Sequence, residues 1–174
     1  MSTNDTVLLF ANGEGQPFVS PDLNEFATAV ESVCVDLARA IARDAEGAKH
    51  LVTIEVEGTR DDTEAHRIAK TIADSALVKT AIFGADPNWG RFVSAAGYTG
   101  VTFEEEQLSL WLGDMLLYHE GTPQPFDPST ASAYLRNNRD VRLRLRFTLG
   151  SGRCTFWTCD LTYEYVKLNA EYTT

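Results

Sequence analysis

Hydrophobic positions change period several times along the chain, and each change marks an element. Thr6-Val7-Leu8-Leu9-Phe10-Ala11 is a short apolar run ended by Asn12-Gly13-Glu14-Gly15, a pattern that predicts a buried strand entering a turn. Ser20-Pro21-Asp22 then offers a capping hydroxyl, a proline suited to the first helical position and an acid for the positive end of the helix dipole. A long helix is predicted to follow, because Leu23, Phe26, Ala27, Val30, Cys34, Leu37, Ala38 and Ile41 recur at three- and four-residue steps. Cys34 lies on that stripe and is predicted to be core.

Residues 51–57 alternate Val52, Ile54 and Val56 with Thr53, Glu55 and Glu57, the period of a strand with one buried face, and Gly58 is expected to close it. Asp61 or Asp62 can cap a second amphipathic helix carrying Ile68, Ala69, Ile72, Ala73, Ala76 and Leu77, with Glu64 placed to answer Asp61. Asp86-Pro87-Asn88-Trp89-Gly90-Arg91 reads as a turn into a short helix. Strands are predicted at 108–112 and 115–119, and a short helix after Asp127-Pro128-Ser129.

The clearest alternation sets Val141, Leu143, Leu145 and Phe147 against Arg142, Arg144 and Arg146. The basic face is expected to meet solvent or the acids of a neighbouring strand. A further strand at 153–161 follows Gly150-Ser151-Gly152, which predicts an antiparallel hairpin. Strands and helices mix without strict βαβ repetition, so the expected fold class is α+β, a layered mixed sheet with packed helices. With 174 residues, 44% of them hydrophobic, and no linker or repeat, residues 1–174 read as one domain.

Charge narrows the partners. Fifteen Lys and Arg against 25 Asp and Glu give a net charge of −10, which repels a phosphate backbone and argues against nucleic-acid binding, while a cationic or zwitterionic small molecule stays compatible. No stretch reaches the roughly 18 apolar residues of a membrane span, and the start lacks the features of a secretory signal, so a cytoplasmic protein without membrane attachment is expected. Cys34, Cys154 and Cys159 fit neither a disulfide framework nor a zinc site. His50, His66 and His119 fall at unrelated places and read as surface or helix-end residues rather than ligands.

No complete catalytic set is present. Two features carry chemistry. Glu46, beside Gly47 in the charged turn from Arg43 to His50, can approach a substrate amine, though a plain helix-to-strand loop explains it as well. The aromatic and β-branched C-terminus predicts a tail docked on the protein.

Five blocks in one order, Ser2-Thr3-Asn4-Asp5-Thr6-Val7, Asp44-Ala45-Glu46-Gly47-Ala48, Leu77-Val78-Lys79-Thr80-Ala81-Ile82-Phe83-Gly84, Asp86 to Arg91, and Cys159 to Lys167, resemble the bifunctional ornithine acetyltransferase family, also called glutamate N-acetyltransferase. The resemblance runs end to end. It implies a precursor that cuts itself at an Ala-Thr bond into α and β chains, the new N-terminal threonine of the β chain being the nucleophile. This sequence would then be the C-terminal part of the β chain, with the nucleophile and oxyanion donors upstream of it; Thr3 and Thr6 do not take that role. The implied reaction moves acetyl from N-acetylornithine to glutamate through an acetyl-threonine, in arginine biosynthesis, with no metal or organic cofactor. Implied partners are the α chain and the remainder of the β chain, in an α2β2 heterotetramer.

By position, the resemblance assigns substrate binding to Glu46, Asn169 and Thr174. A carboxylate suits the ornithine ammonium, while an amide and a hydroxyl or terminal carboxylate suit an amino-acid head group. The block from Asp86 to Arg91 reads as structural support. Where the family commonly has Gly-Glu-Gly-Ala-Thr-Lys, this chain has Ala45-Glu46-Gly47-Ala48-Lys49-His50, and Thr173 replaces a frequent arginine. These departures leave open a paralogue in a secondary-metabolite route such as the clavulanic acid pathway. A threonine-type amidohydrolase or aminopeptidase, and a non-catalytic assembly module, are the other readings.

Overall fold

The computed structural model describes residues 6–17 and 19–171. Its centre is β1 (Leu51–Thr59), whose Val52, Ile54 and Val56 point into the core as their alternation requires. β1 pairs in parallel with β5 (Asp140–Phe147), from Leu51 opposite Asp140 to Glu57 opposite Arg146. On its other side it pairs antiparallel with β6 (Gly152–Cys159), from Leu51 opposite Cys159 to Glu57 opposite Arg153. β5 continues antiparallel into β2 (Leu108–Leu112), then β3 (Met115–His119) and the short β4 (Thr122–Pro123), so the sheet order is β4-β3-β2-β5-β1-β6. The α+β class is as expected.

The predicted hairpin of 141–147 with 153–161 does not form, because β1 separates the two strands. Charge gives the reason. Paired directly, the strands would set Arg142, Arg144 and Arg146 beside Arg153, whereas β1 places Glu55 and Glu57 between them. Glu55 Oε2 accepts both Nε and a terminal nitrogen of Arg142 at 2.8 Å. Arg144 lies over the Trp111 ring at 4.4 Å. Gly58 does not end β1 but sits in a bulge between Glu57 and Thr59 at φ +80, and its carbonyl accepts Leu149 and Gly150 N–H at 2.8 and 2.9 Å.

One sheet face is apolar and covered by helices. Among its core contacts are Ile68 and Ile72 of α2 (Asp62–Asp74), Val78 and Ile82 of α3 (Ala76–Phe83), Phe92 of α4 (Trp89–Gly97) and Leu135 of α5 (Pro128–Asn137). Asp61 caps α2 by accepting Glu64 N–H at 2.8 Å, as predicted, but the Glu64 carboxylate turns to Arg60. The helix expected to run through Leu77 is broken at Ser75, which closes α2 with its N–H and opens α3 with its hydroxyl. Asp127 caps α5; hydroxyl bonds from Thr130 and Ser129 hold its carboxyl down to about 2.

The N-terminal expectations are corrected. Residues 6–11 form no strand: Val7 is 81% and Phe10 87% exposed, since no described strand lies beside them to accept their backbone groups. The long helix, α1 (Ser20–Arg43), is present and begins after Val19 at its cap position. It meets the sheet mainly at β6 and β1, burying Ala42, and its Arg43 pairs with Asp140 of β5 at 2.9 Å, while Leu23, Val33, Leu37 and Ile41 stay about half exposed or more. Cys34 is exposed rather than core. The stripe has the predicted period but stays largely exposed instead of forming core.

Replacing Gly58 by alanine should destabilise the protein by about 2 kcal/mol or more, because the left-handed φ is strained for alanine and its methyl would lie 2.0 Å from the Phe147 carbonyl oxygen. Denaturant unfolding of the Gly58→Ala protein reads this; a midpoint equal to wild type would contradict it.

Candidate functional site

Antiparallel pairing of β1 with β6 puts the start of one beside the end of the other, Leu51 opposite Cys159. The loop entering β1 and the segment leaving β6 are therefore neighbours. Glu46 lies on that loop with its side chain exposed. α1 ends where Asp44 N–H bonds Ala40 O at 2.9 Å, and a turn closed by Ala48 N–H on Ala45 O follows, with Gly47 at φ +68. Only glycine fits at position 47, since a methyl would meet Tyr165 N at 2.7 Å.

The segment after β6 grips this loop at two points. Thr162 Oγ1 donates to Gly47 O at 2.7 Å and accepts Tyr165 N–H at 3.0 Å, fixing the first turn of α6 (Tyr163–Glu171). Asp160, fully buried, accepts Lys49 and His50 N–H on Oδ1 at 2.9 and 3.1 Å. Its Oδ2 lies 2.7 Å from His50 Nδ1, while His50 Nε2 lies 2.8 Å from Leu135 O. A carbonyl only accepts, so Nε2 carries a hydrogen; the carboxylate, already taking two N–H bonds, draws a second onto Nδ1. His50 is thus an imidazolium donating from both nitrogens. Its pKa is raised, first by the bond to Asp160, against the effect of burial. Burial pushes the Asp160 carboxyl up, but the bonds from His50 and Lys49 outweigh it and leave the pKa lowered.

Around this junction, Lys49 Nζ stands 5.2 Å from the Phe83 ring centre and Phe83 meets Tyr163 edge-on at 5.1 Å. The buried Lys79 places Nζ 3.9 Å from Cys159 Sγ, and its carbonyl accepts Leu161 N–H at 3.4 Å.

Of the residues singled out from sequence, Glu46 and Asn169 sit on the two segments that the Gly47 to Thr162 bond joins. Asn169 is exposed on α6, where Nδ2 donates to Tyr165 O at 2.8 Å, and Thr174 lies outside the described residues. Among the described residues the tail is held where Thr162 bonds Gly47 O and Tyr165 N–H, while Tyr163 is 84% and Val166 54% exposed. In the block from Asp86 to Arg91, Arg91 Nη1 donates to Leu77 O at 3.1 Å and Trp89 stacks on Tyr118. His50 corrects its expectation, being a buried ion-pair partner rather than a surface or helix-end residue. Asp160 and Thr162 also went unnoticed individually, because what matters about them is a register between strands a hundred residues apart.

An α+β sheet of this order, with a loop and a terminal helix clasped at one end, defines a known architecture. The crystal structure of Arginine biosynthesis bifunctional protein argJ from Bacillus halodurans matches it with a TM-score of 0.91 and 41% identity, over 99% of this chain and 83% of that one. Arginine biosynthesis bifunctional protein ArgJ 1 of Nostoc sp. is 46% identical over 185 residues, covering 99% of this chain and 45% of that protein. The ArgJ protein of Gloeobacter violaceus is 46% identical over 178 residues, covering 99% and 44%. The ArgJ family profile spans residues 1–174, and the chain belongs to the ArgJ family. It spans less than half the length of these curated relatives. Among the described residues no helix is long and apolar enough to cross a membrane.

A raised folded pKa means that the stability His50 contributes is fully present below its ordinary value of 6.5 and is lost as pH rises through the folded value. The His50→Gln protein should therefore be less stable than wild type by about 1–3 kcal/mol near pH 6, a gap that narrows in alkali. Denaturant midpoints across pH check this; a gap constant from acid to alkali would mean that the ring is not the charged partner.

Proposed function

We propose that this chain is the C-terminal part of the β chain of a glutamate N-acetyltransferase, an ornithine acetyltransferase of arginine biosynthesis. The observation that carries the proposal is family membership over the whole chain, at 46% identity to a protein named for bifunctional arginine biosynthesis. The convergence of the Glu46 loop on α6 supports the siting of substrate there.

In the complete protein, a threonine freed by self-cleavage and lying outside this chain attacks the acetyl carbonyl of N-acetylornithine. Its α-amino group takes the hydroxyl proton, and ornithine leaves as the amine. The glutamate amine then attacks the acetyl-threonine, forming N-acetylglutamate and restoring the hydroxyl, each tetrahedral oxyanion being stabilised by upstream donors. Glu46 pairs with the side-chain ammonium of the donor, and Asn169 and Thr174 orient the amino-acid head group. Residues 1–174 behave as one domain that takes the α chain and the rest of the β chain as partners, in a cytoplasmic α2β2 heterotetramer. The exposed run from Val7 to Phe10 and the outward stripe of α1 are apolar, and such surface calls for a cover that the remaining half of the protein would supply.

Incubating the complete, self-cleaved enzyme with N-acetylornithine should add one acetyl group to its N-terminal threonine, visible by peptide mass spectrometry; absence of that adduct rejects the assignment. Glu46→Gln should raise KM for N-acetylornithine about tenfold or more while leaving the adduct obtainable at saturation.

The docking surface has its own test. Leu37→Glu together with Ile41→Glu, on the stripe of α1, should weaken co-purification of this segment with a separately expressed remainder of the protein. Undiminished association would place the contact elsewhere.

A further inference from the structure

We propose that His50 and Asp160 are positioning residues for the substrate site, clasping the Glu46 loop against the segment that leads to Asn169. The inference rests on the reading of Glu46 and Asn169 given above and names what holds them in register.

Asp160 spends one buried carboxylate on a single loop: two consecutive backbone N–H groups and one ring N–H, at 2.9, 3.1 and 2.7 Å. His50 extends the grip to a third element by donating to the Leu135 carbonyl of α5 at 2.8 Å. Two residues beyond Asp160, Thr162 holds the Gly47 carbonyl and the first turn of α6 with one hydroxyl. Glu46 is therefore flanked by an anchor on the adjoining residue and by a second anchor where the loop enters β1.

A buried ion pair is an inefficient source of stability, because desolvation offsets much of its attraction and an apolar pair of similar volume does as well. Its directional bonds do fix geometry, and every donor here comes from the loop that carries Glu46. The charged groups acting on the ring are Asp160, from the β6 side, and Lys49 on its own segment, whose ammonium stands over the Phe83 ring; α5 presents a carbonyl. Loss of one ring proton leaves a nitrogen lone pair facing either the carboxylate or the carbonyl, so one of the two ring bonds is lost and the grip between the loop, β6 and α5 loosens. The consequence falls on substrate binding, since neither residue touches the reacting atoms.

The test compares KM and kcat for N-acetylornithine in the complete self-cleaved enzyme from pH 6 to 10. For wild type, KM should climb about tenfold as His50 loses its proton. In the His50→Lys enzyme, whose ammonium stays charged to about pH 10, that limb should disappear. In His50→Gln, KM should already be high at pH 6 and stay level, with kcat following the same profile in all three. A limb common to all three enzymes, or an effect of the variants on kcat alone, would overturn the clasp. Should His50→Gln fail to fold, 15N-histidine NMR of the wild-type enzyme decides instead: both ring nitrogens protonated at pH 7 supports the clasp, and a neutral ring overturns it. Glu46→Gln run in parallel separates the two claims. A raised KM there with an unaltered limb in the His50 variants leaves the site standing without the clasp, whereas no effect of Glu46→Gln takes both down.

Discussion

The register of β1 against its two neighbours governs the rest of the molecule. Because Leu51 lies opposite both Asp140 and Cys159, the entrance to β1, the entrance to β5 and the exit from β6 fall at one end of the sheet. The loop before β1 and the helix after β6 then share that end, and the C-terminus of α5 reaches it through Leu135. A slip of one residue would turn Val52, Ile54 and Val56 out of the core and carry Glu55 away from Arg142, so both faces of the sheet hold the same alignment.

Electrostatics and packing divide the work between the two faces. The helix-covered face is apolar except for Thr158 of β6, whose hydroxyl donates to Ala73 O of α2 at 3.4 Å, and no charged side chain from β1, β2 or β5 enters it. The opposite face alternates acids and arginines across strands, which explains why a net charge of −10 coexists with an arginine-rich β5. Glu31 and Val35 of α1 border a cleft of about 740 Å³ along that face, with Glu55, Glu57, Arg153 and Trp157 on its walls. At the sheet end, the buried charges of His50 and Asp160 are matched to each other.

Local patterns were legible in the sequence and pairings were not. The alternations in 51–57 and 141–147, the cap at Asp61 and the cap at Asp127 all gave their elements, because each is decided within a few residues. The hairpin expectation failed because turn glycines say nothing about a third strand arriving from elsewhere in the chain. Cys34 and the stripe around it have the right period, but a stripe states only that some cover is needed. Of the candidate site, Glu46 stood out beside Gly47 in a charged turn, but its assignment to substrate, like that of Asn169, came through resemblance. His50 was missed because its partner sits 110 positions away, and a lone histidine carries no local mark of an ion pair.

The place of β1 also bears on how the polypeptide comes to its native form. Both its partner strands come later in the sequence, so during synthesis the central strand emerges before either and waits with both edges unsatisfied. Closure must follow the appearance of nearly all of β6, which makes the contact order high and the search slow. Until then the ribosome-bound intermediate presents a run of valine and isoleucine flanked by open backbone, the kind of surface that chaperones hold and that crowded nascent chains exchange with one another.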